Sequence, residues 1–468
     1  MWVDATEAAI GITGEWTNKV DLADIDADGD VDILFANGGD YDEPGTPVVN
    51  QIFANDGSGV FADVTSQVVG PEGDLARVIK ARDLDGDGLP DIIVGTTFET
   101  QSRLYLNRGG LDFEEVTTTH LPAVDSSVGD LEVGDVDADG DLDLVLADWG
   151  PGDPMRNDGA PVRLWLNDGN AVFSEAPAGQ VPQPLVLFSW DLELVDVDND
   201  FDLDILTSCK RCAGGFLFRN NGAGVFEDES AALPQATNNY DFEPMDVDGD
   251  GFLDLVTVND GPDMRERLLM SDGMGGFVDH TMDRWPEEAN MAADDNVVAF
   301  ADVDSDGDAD FIIGSLSGSD RLMVNDGSGH LSMDDQIFKG VRTLGTLGLA
   351  MADLNGDTRI DVVQAQGEAA DREKVLMGGD LVPPDSAPPI ITNVRAIGGT
   401  IHARVHDNKS PSVTSDWRSV VLRGPAGDQP MQWYGEYLWR ATPAEPGSHS
   451  VCATDHAGNE SCSAVVVS

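Results

Sequence analysis

One nine-residue string governs the chain: Asp-x-Asp-x-Asp-Gly-x-x-Asp, which occurs seven times with small departures. The copies begin at Asp24, Asp83, Asp135, Asp196, Asp246, Asp302 and Asp353, so they recur every 50 to 61 residues. A period of that length marks one supersecondary unit copied, not a tandem short repeat. Every copy sits in the same surroundings. An apolar-alternating run enters it, as in Val78-Ile-Lys-Ala-Arg82, and a β-branched run leaves it, as in Asp310-Phe-Ile-Ile-Gly314. A third short strand follows a variable loop (Arg103-Leu-Tyr-Leu-Asn107), and a fourth follows an Asn-Asp-Gly type turn (Phe61-Ala-Asp-Val-Thr65, after Asn55). Asn and Gly tolerate positive φ, so that turn predicts a tight hairpin. Four antiparallel strands per roughly 50 residues are the signature of a propeller blade.

The seventh unit stops short. It runs through Asp361-Val-Val-Gln364 and Lys374-Val-Leu-Met377 and then enters a proline-rich stretch without a fourth strand. The missing strand stands at the other end of the chain, where Trp2-Val-Asp-Ala-Thr6 matches the aromatic-x-acid-x-Thr pattern of the other fourth strands. Pairing the two ends closes the ring and removes open sheet edges. The expected fold is therefore all-β. It comprises a seven-bladed β-propeller over residues 1–381 with the N-terminal strand closing blade seven, a Pro-rich linker over 382–389, and a small β-sandwich over 390–468. The last is read from short alternating strands such as Ile401-His-Ala-Arg-Val405 and Ser448-His-Ser-Val-Cys452.

Carboxylates at positions 1, 3, 5 and 9 repel one another unless something neutralises them. A hard divalent cation does so, and Ca²⁺ accepts six to eight oxygens at about 2.3–2.6 Å, with less geometric demand than Mg²⁺. Glycine at position 6 lets the chain turn back with positive φ so that position 9 reaches the same ion. The ligands so assigned are Asp24, Asp26, Asp28 and Asp32; Asp83, Asp85, Asp87 and Asp91; Asp135, Asp137, Asp139 and Asp143; Asp196, Asp198, Asp200 and Asp204; Asp246, Asp248, Asp250 and Asp254; Asp302, Asp304, Asp306 and Asp310; and Asp353, Asn355, Asp357 and Asp361, for up to seven Ca²⁺. These are not EF-hands, because no Glu stands at position 12 and the flanks read as strand. Two loops depart from the pattern: the fourth has Phe201 at position 6, and the seventh has Asn355 at position 3 and Thr358 at position 6. Those two sites are expected to be the weakest.

Such loops between two strands resemble the FG-GAP and VCBS repeats of integrin α-subunit propellers, calcium-bearing fungal lectins and secreted bacterial proteins. The resemblance covers residues 2 to about 381. It implies calcium loops that join the first and second strands of each blade, on the face opposite the usual ligand surface, and calcium that is mainly structural. The ending Val451-Cys-Ala-Thr-Asp-His-Ala-Gly-Asn459 resembles the final hairpin of bacterial immunoglobulin-like modules, which implies a spacer or adhesive unit.

Composition narrows the partners. Asp and Glu number 87 against 26 Lys and Arg, a formal net charge of -61, which excludes nucleic acid. No apolar run is long enough to span a bilayer, so membrane insertion is not expected. The expected partner is an extracellular glycan or protein. Tyr41, Trp149 and Trp285, aromatic residues beside acids in variable loops, are the candidate contacts, with blade core as the competing role for each Trp. Enzymatic chemistry finds little support: no Gly-x-Ser-x-Gly elbow or phosphate loop occurs, and His402 and His406 read as a pair on one strand. A polysaccharide lyase on a calcium-bearing propeller is the enzymatic alternative, by analogy of fold alone.

The four cysteines are expected to pair locally. Cys452 and Cys462 flank the final hairpin symmetrically, and Cys209 and Cys212 sit in a loop without the βαβ context of a redox motif. Two local disulfides fit an oxidising compartment, so the expected location is secreted or cell-surface. No export signal precedes the closing strand, and a mature or trimmed chain is expected.

Overall fold

The computed structural model describes residues 1–261, 264–367 and 372–467; Ser468, the last residue of the expected sandwich, lies outside them. The alternating runs form seven four-stranded antiparallel sheets. We number these sheets 1 to 7 by their first strands: Thr17–Ala23, Ala76–Arg82, Val128–Gly134, Leu192–Val195, Asn239–Met245, Asp295–Ala301 and Thr346–Ala352. Each acidic loop joins the first and second strands of its sheet. Its ninth residue opens the second strand, as in Asp91–Thr96 and Asp310–Ser315. The second strands are buried along their whole length, which explains why they read as unbroken apolar runs.

Each first strand packs against that of the next sheet, and Thr346–Ala352 packs back against Thr17–Ala23. This cyclic packing fits a β-propeller. The sheets approach closely: a Cβ on Gly129 in sheet 3 would stand 2.0 Å from the carbonyl oxygen of Ser189, ahead of sheet 4. Sheet 7 takes its fourth strand from the N-terminus, with Val3 opposite Met377 and Asp4 opposite Leu376. Trp2 anchors the seam. Its buried ring packs against Phe338 at 4.9 Å between centroids, and its Nε1 donates to the Ile360 carbonyl at 2.8 Å.

Two further four-stranded antiparallel sheets follow. One is built on Ile390–Ile397 and Thr400–His406, the other on Trp417–Gly424 and Gly447–Asp455. They share a core that includes Val405, Trp417, Trp439 and Val451. This second unit is not held apart by its proline-rich approach. The Asp385 amide donates to the Thr358 carbonyl at 2.6 Å, and the Ser386 amide to Ser305 Oγ at 2.8 Å. The sandwich then lies across the acidic-loop face of the ring. Tyr434 Oη donates to Phe201 O (3.2 Å), Asn393 Nδ2 to Gly251 O (2.9 Å) and Asn408 Nδ2 to Gly307 O (3.0 Å). The Asp135 amide donates in return to the Tyr434 carbonyl at 2.9 Å. No helix among the described residues is long and apolar enough to cross a membrane.

Candidate metal loops and the opposite face

All seven loops share one hydrogen-bonded cage. The carboxylate at position 9 accepts two amides in every copy: that of position 2 in its own loop, and that of the residue that ends or directly follows the third strand. In loop 1 these are Ile25 and Asn55, both 2.8 Å from Asp32; in loop 7 they are Leu354 at 2.9 Å and Gly378 at 2.6 Å from Asp361. The carboxylate at position 1 accepts the position 6 amide in every copy, as Gly29 gives to Asp24 at 3.0 Å and Thr358 to Asp353 at 2.7 Å. Position 6 has positive φ throughout, including the two non-glycine cases, Phe201 at 76° and Thr358 at 64°. Position 4 also has positive φ, at Ala27, Ala138, Asn199 and Ser305 among others, which the sequence reading did not anticipate.

Burial leaves these carboxylates poorly solvated. It pushes Asp32, Asp91 and Asp361 up to about 7, and Asp143, Asp254 and Asp310 up to about 8, even though each accepts backbone amides. Oxygens of Asp24, Asp26 and Asp32 lie within 4.8 Å of one another, and so do those of Asp83, Asp85 and Asp91, of Asp135, Asp137 and Asp143, and of Asp196, Asp198 and Asp200. Asp26, Asp83 and Asp248 each keep a buried oxygen without a hydrogen-bond partner. A donor set of convergent carboxylates with orphaned oxygens is one that a hard cation completes.

The loops differ in which cations of the protein reach them. Arg219 stands 2.9 Å from Asp198 and 3.4 Å from Asp204 in loop 4, where Arg404 also lies 3.5 Å from Asp196. Arg440 contacts Asp135 in loop 3, Arg284 lies 3.0 Å from Asp248 in loop 5, and Arg108 lies 3.2 Å from Asp85 in loop 2. Loop 4 is thus the most neutralised by side chains. Phe201 there is buried, with the His402 ring 5.4 Å away and the Arg395 guanidinium 5.5 Å over its face.

The Asn of the Asn-Asp-Gly turns does more than shape a hairpin. Asn107 Nδ2 donates to Ile25 O in the preceding sheet's loop at 2.8 Å, Asn167 to Leu84 O at 2.8 Å, Asn220 to Val136 O at 2.7 Å, Asn325 to Val247 O at 2.8 Å, and Asn55 to Leu354 O at 2.9 Å. One amide therefore ties each loop to its neighbour around the ring, except where Ser271 and Gly378 replace it. The recurrence of Asn at the end of the third strand was the available signal.

The opposite face corrects two expected contacts. Trp149 is fully buried, with Phe188 at 4.8 Å between centroids and the Arg77 guanidinium 5.3 Å over its ring. Trp285 is buried against Phe311 at 5.4 Å. Neither ring is an exposed platform; both fill the space between neighbouring elements. Tyr41 is half-buried, edge-on to Phe188 at 5.6 Å, and its hydroxyl meets Lys210. Lys210 belongs to the loop closed by the Cys209–Cys212 disulfide and also contacts Asp260, so that loop spans toward sheets 1 and 5. Cys452 and Cys462 face each other across the last hairpin and are bonded. His402 and His406 are both held neutral, at about 4 and about 3, by burial and then by Arg440 and Arg404 respectively.

The FG-GAP-like repeat family matches residues 24–94, 83–146 and 267–363. The chain carries FG-GAP-like repeats. The matched spans hold loops 1, 2, 3, 6 and 7, while loops 4 and 5 lie between them. No curated protein matches the chain. Similar solved structures include an Agrocybe aegerita lectin described as recognising non-reducing terminal N-acetylglucosamine, at 21% identity over 69% of this chain and 83% of the lectin, with a TM-score of 0.45. BBS1N in complex with ARL6DN is 13% identical over 82% of this chain and 99% of that one, with a TM-score of 0.49. The V. cholerae biofilm matrix protein Bap1 is 14% identical over 98% of this chain and 74% of that one, with a TM-score of 0.37.

Proposed function

We propose that this chain is an extracellular recognition module. In this reading residues 1–381 form a seven-bladed FG-GAP-like propeller whose loops carry Ca²⁺. Residues 382–389 link it to an immunoglobulin-like sandwich over 390–468. The observation that carries the reading is the shared cage of the seven loops, in which Asp26, Asp83 and Asp248 keep buried oxygens that a bound cation would satisfy. Bound calcium would supply charge neutralisation that holds each first-to-second-strand hairpin closed; the chain's own residues orient the carboxylates and exclude water from position 9. Because the sandwich covers the loop face, ligand recognition falls to the opposite face, around Tyr41 and the Cys209–Cys212 loop. A glycan or a protein surface is the ligand class proposed, bound without turnover. Two disulfides and the acidic coat support a secreted or cell-surface location.

The test is removal of the ion. An ion held at 1,000 times its dissociation constant adds about 4 kcal/mol per site by mass action, so EDTA should lower the melting temperature sharply and added Ca²⁺ should restore it. A melting curve indifferent to EDTA rejects the calcium reading. Retention on a glycan or protein array, with no new absorbance from uronate polysaccharides, separates recognition from a lyase.

A further inference from the structure

The axis of the ring holds charge that the seven loops do not use. On three successive sheets the first strand, or in sheet 4 the strand and the residue just ahead of it, brings a pair of carboxylates to one cavity: Asp130 and Glu132, Asp191 and Glu193, Asp241 and Glu243. The cavity has a volume of about 70 Å³, room for several water-sized occupants. Part of this charge ties the sheets together. Asp130 takes Lys19 at 2.5 Å and the Leu192 amide at 3.1 Å, and Glu132 takes Lys80. Asp191 accepts the Phe242 amide at 3.0 Å, and Asp241 Oδ2 accepts the Val298 amide at 2.8 Å.

The remaining charge is only partly met, with Ser410 hydrogen-bonded to Glu243. Among the described residues Asp241, Glu193 and Glu243 enter no salt bridge, and Asp241 Oδ1 is buried without a hydrogen bond. Asn296 lines the same cavity from the bulge between Asp295 and Val297. It is fully buried, and neither its Oδ1 nor its Nδ2 has a partner. Asn18, at the matching bulge of sheet 1, is fully satisfied: its Nδ2 donates to Gly38 O at 2.6 Å and Ala76 O at 2.8 Å, and its Oδ1 accepts from Trp16 and Arg77. The same residue type at the equivalent bulge is thus satisfied in sheet 1 and unmet in sheet 6, where it faces the axial carboxylates. Buried orphan polar groups are costly, and carboxylate and amide oxygens together form a hard donor set.

We propose that the axial cavity binds one divalent cation of the Ca²⁺ or Mg²⁺ class, with oxygen donors from Asp241, Asn296, Glu193 and Glu243. None of these residues belongs to an acidic loop, so the site is separate from the loop ions. Pro411 of the second unit also lines the cavity, which places the ion beneath the docked sandwich.

The full chain, stripped with EDTA and crystallised, is soaked in MnCl₂ and its anomalous difference density measured. A peak beside Asp241 and Asn296 is expected. Occupied loops with only water on the axis overturn the proposal; an occupied axis with empty loops instead sinks the calcium-loop reading and leaves this one standing. In solution, Asp241→Asn combined with Glu243→Gln should lower bound Mn²⁺ by one per chain, and an unchanged count overturns the site. Asp26→Asn serves as the control that removes a loop ligand and leaves the axial ion in place. Should the double variant fail to fold, the soak of the unmodified chain decides alone.

Discussion

Arg404 Nη2 lies 2.8 Å from the main-chain carbonyl oxygen of Asp196 and 3.5 Å from its carboxylate, with both residues buried. A side chain of the sandwich thus completes the first position of loop 4, and Arg440 does the same for Asp135 in loop 3. The second unit is therefore part of the loops' electrostatics. Removing one partner of a buried pair costs about 3–5 kcal/mol, because the other charge stays buried without compensation. Arg404→Ala is expected to destabilise the chain by about that amount and to lower its melting temperature in calorimetry; a curve that superimposes on the unmodified protein would reject the coupling.

The amide staples give a prediction with two signs. Asn107→Ala leaves the carbonyls of Ile25 and Pro90, which Nδ2 now reaches at 2.8 and 3.1 Å, without their donor. The loss should be about 1–3 kcal/mol. Ser271 occupies the corresponding place in sheet 5 and lacks the amide, so Ser271→Asn restores a donor toward Val197 and should gain about 1 kcal/mol. Urea unfolding midpoints check both, and equal midpoints for the two variants would refute the staple.

Positive φ at position 6 is strained for a non-glycine residue by about 1–2 kcal/mol. Thr358, at 64°, is only half-buried, and relief should outweigh the added freedom of the unfolded chain, so Thr358→Gly is expected to stabilise by about 0.5–1 kcal/mol. Phe201, at 76°, packs under His402 and Arg395, and truncating a buried Phe costs about 3–5 kcal/mol. Phe201→Gly should therefore destabilise by about 2 kcal/mol. Melting temperatures that move in the same direction for the two variants would count against this account.

What the sequence made legible follows from where the signal lies. The seven loops stand out because their carboxylates keep one spacing, from Asp24 to Asp361, and the seam stands out because Trp2 to Thr6 repeats the fourth-strand pattern. Cys452 and Cys462 were readable from hairpin symmetry. The docking of the sandwich was not, because it is written largely in main-chain carbonyls, those of Asp196, Phe201, Gly251 and Gly307, which no residue identity announces. Trp149 misled for a related reason. Its Asp-Trp-Gly-Pro surroundings look like an exposed loop, but Arg77 from sheet 2 and Phe188 from the segment entering sheet 4, both remote in sequence, enclose it.

Asp320 supplies a pH dependence that lies outside the loops. Burial pushes its carboxyl up to about 8 from the ordinary 3.8, and the Ser315 amide and Thr346 hydroxyl, each at 3.0 Å, offset only part of that. A folded-state value above the unfolded one means that the folded chain holds this proton more tightly. The stabilising contribution is therefore complete below about pH 4 and is lost as pH rises through about 8, at up to about 1.4 kcal/mol per pH unit between them. Asp320→Asn cannot ionise and removes that slope. Measured in calcium-saturated buffer, so that the loop carboxylates are treated alike, the stability of Asp320→Asn relative to the unmodified chain should rise steadily from about pH 5 to about pH 8. Parallel profiles for the two proteins would show that Asp320 is ionised in the fold and would refute the prediction.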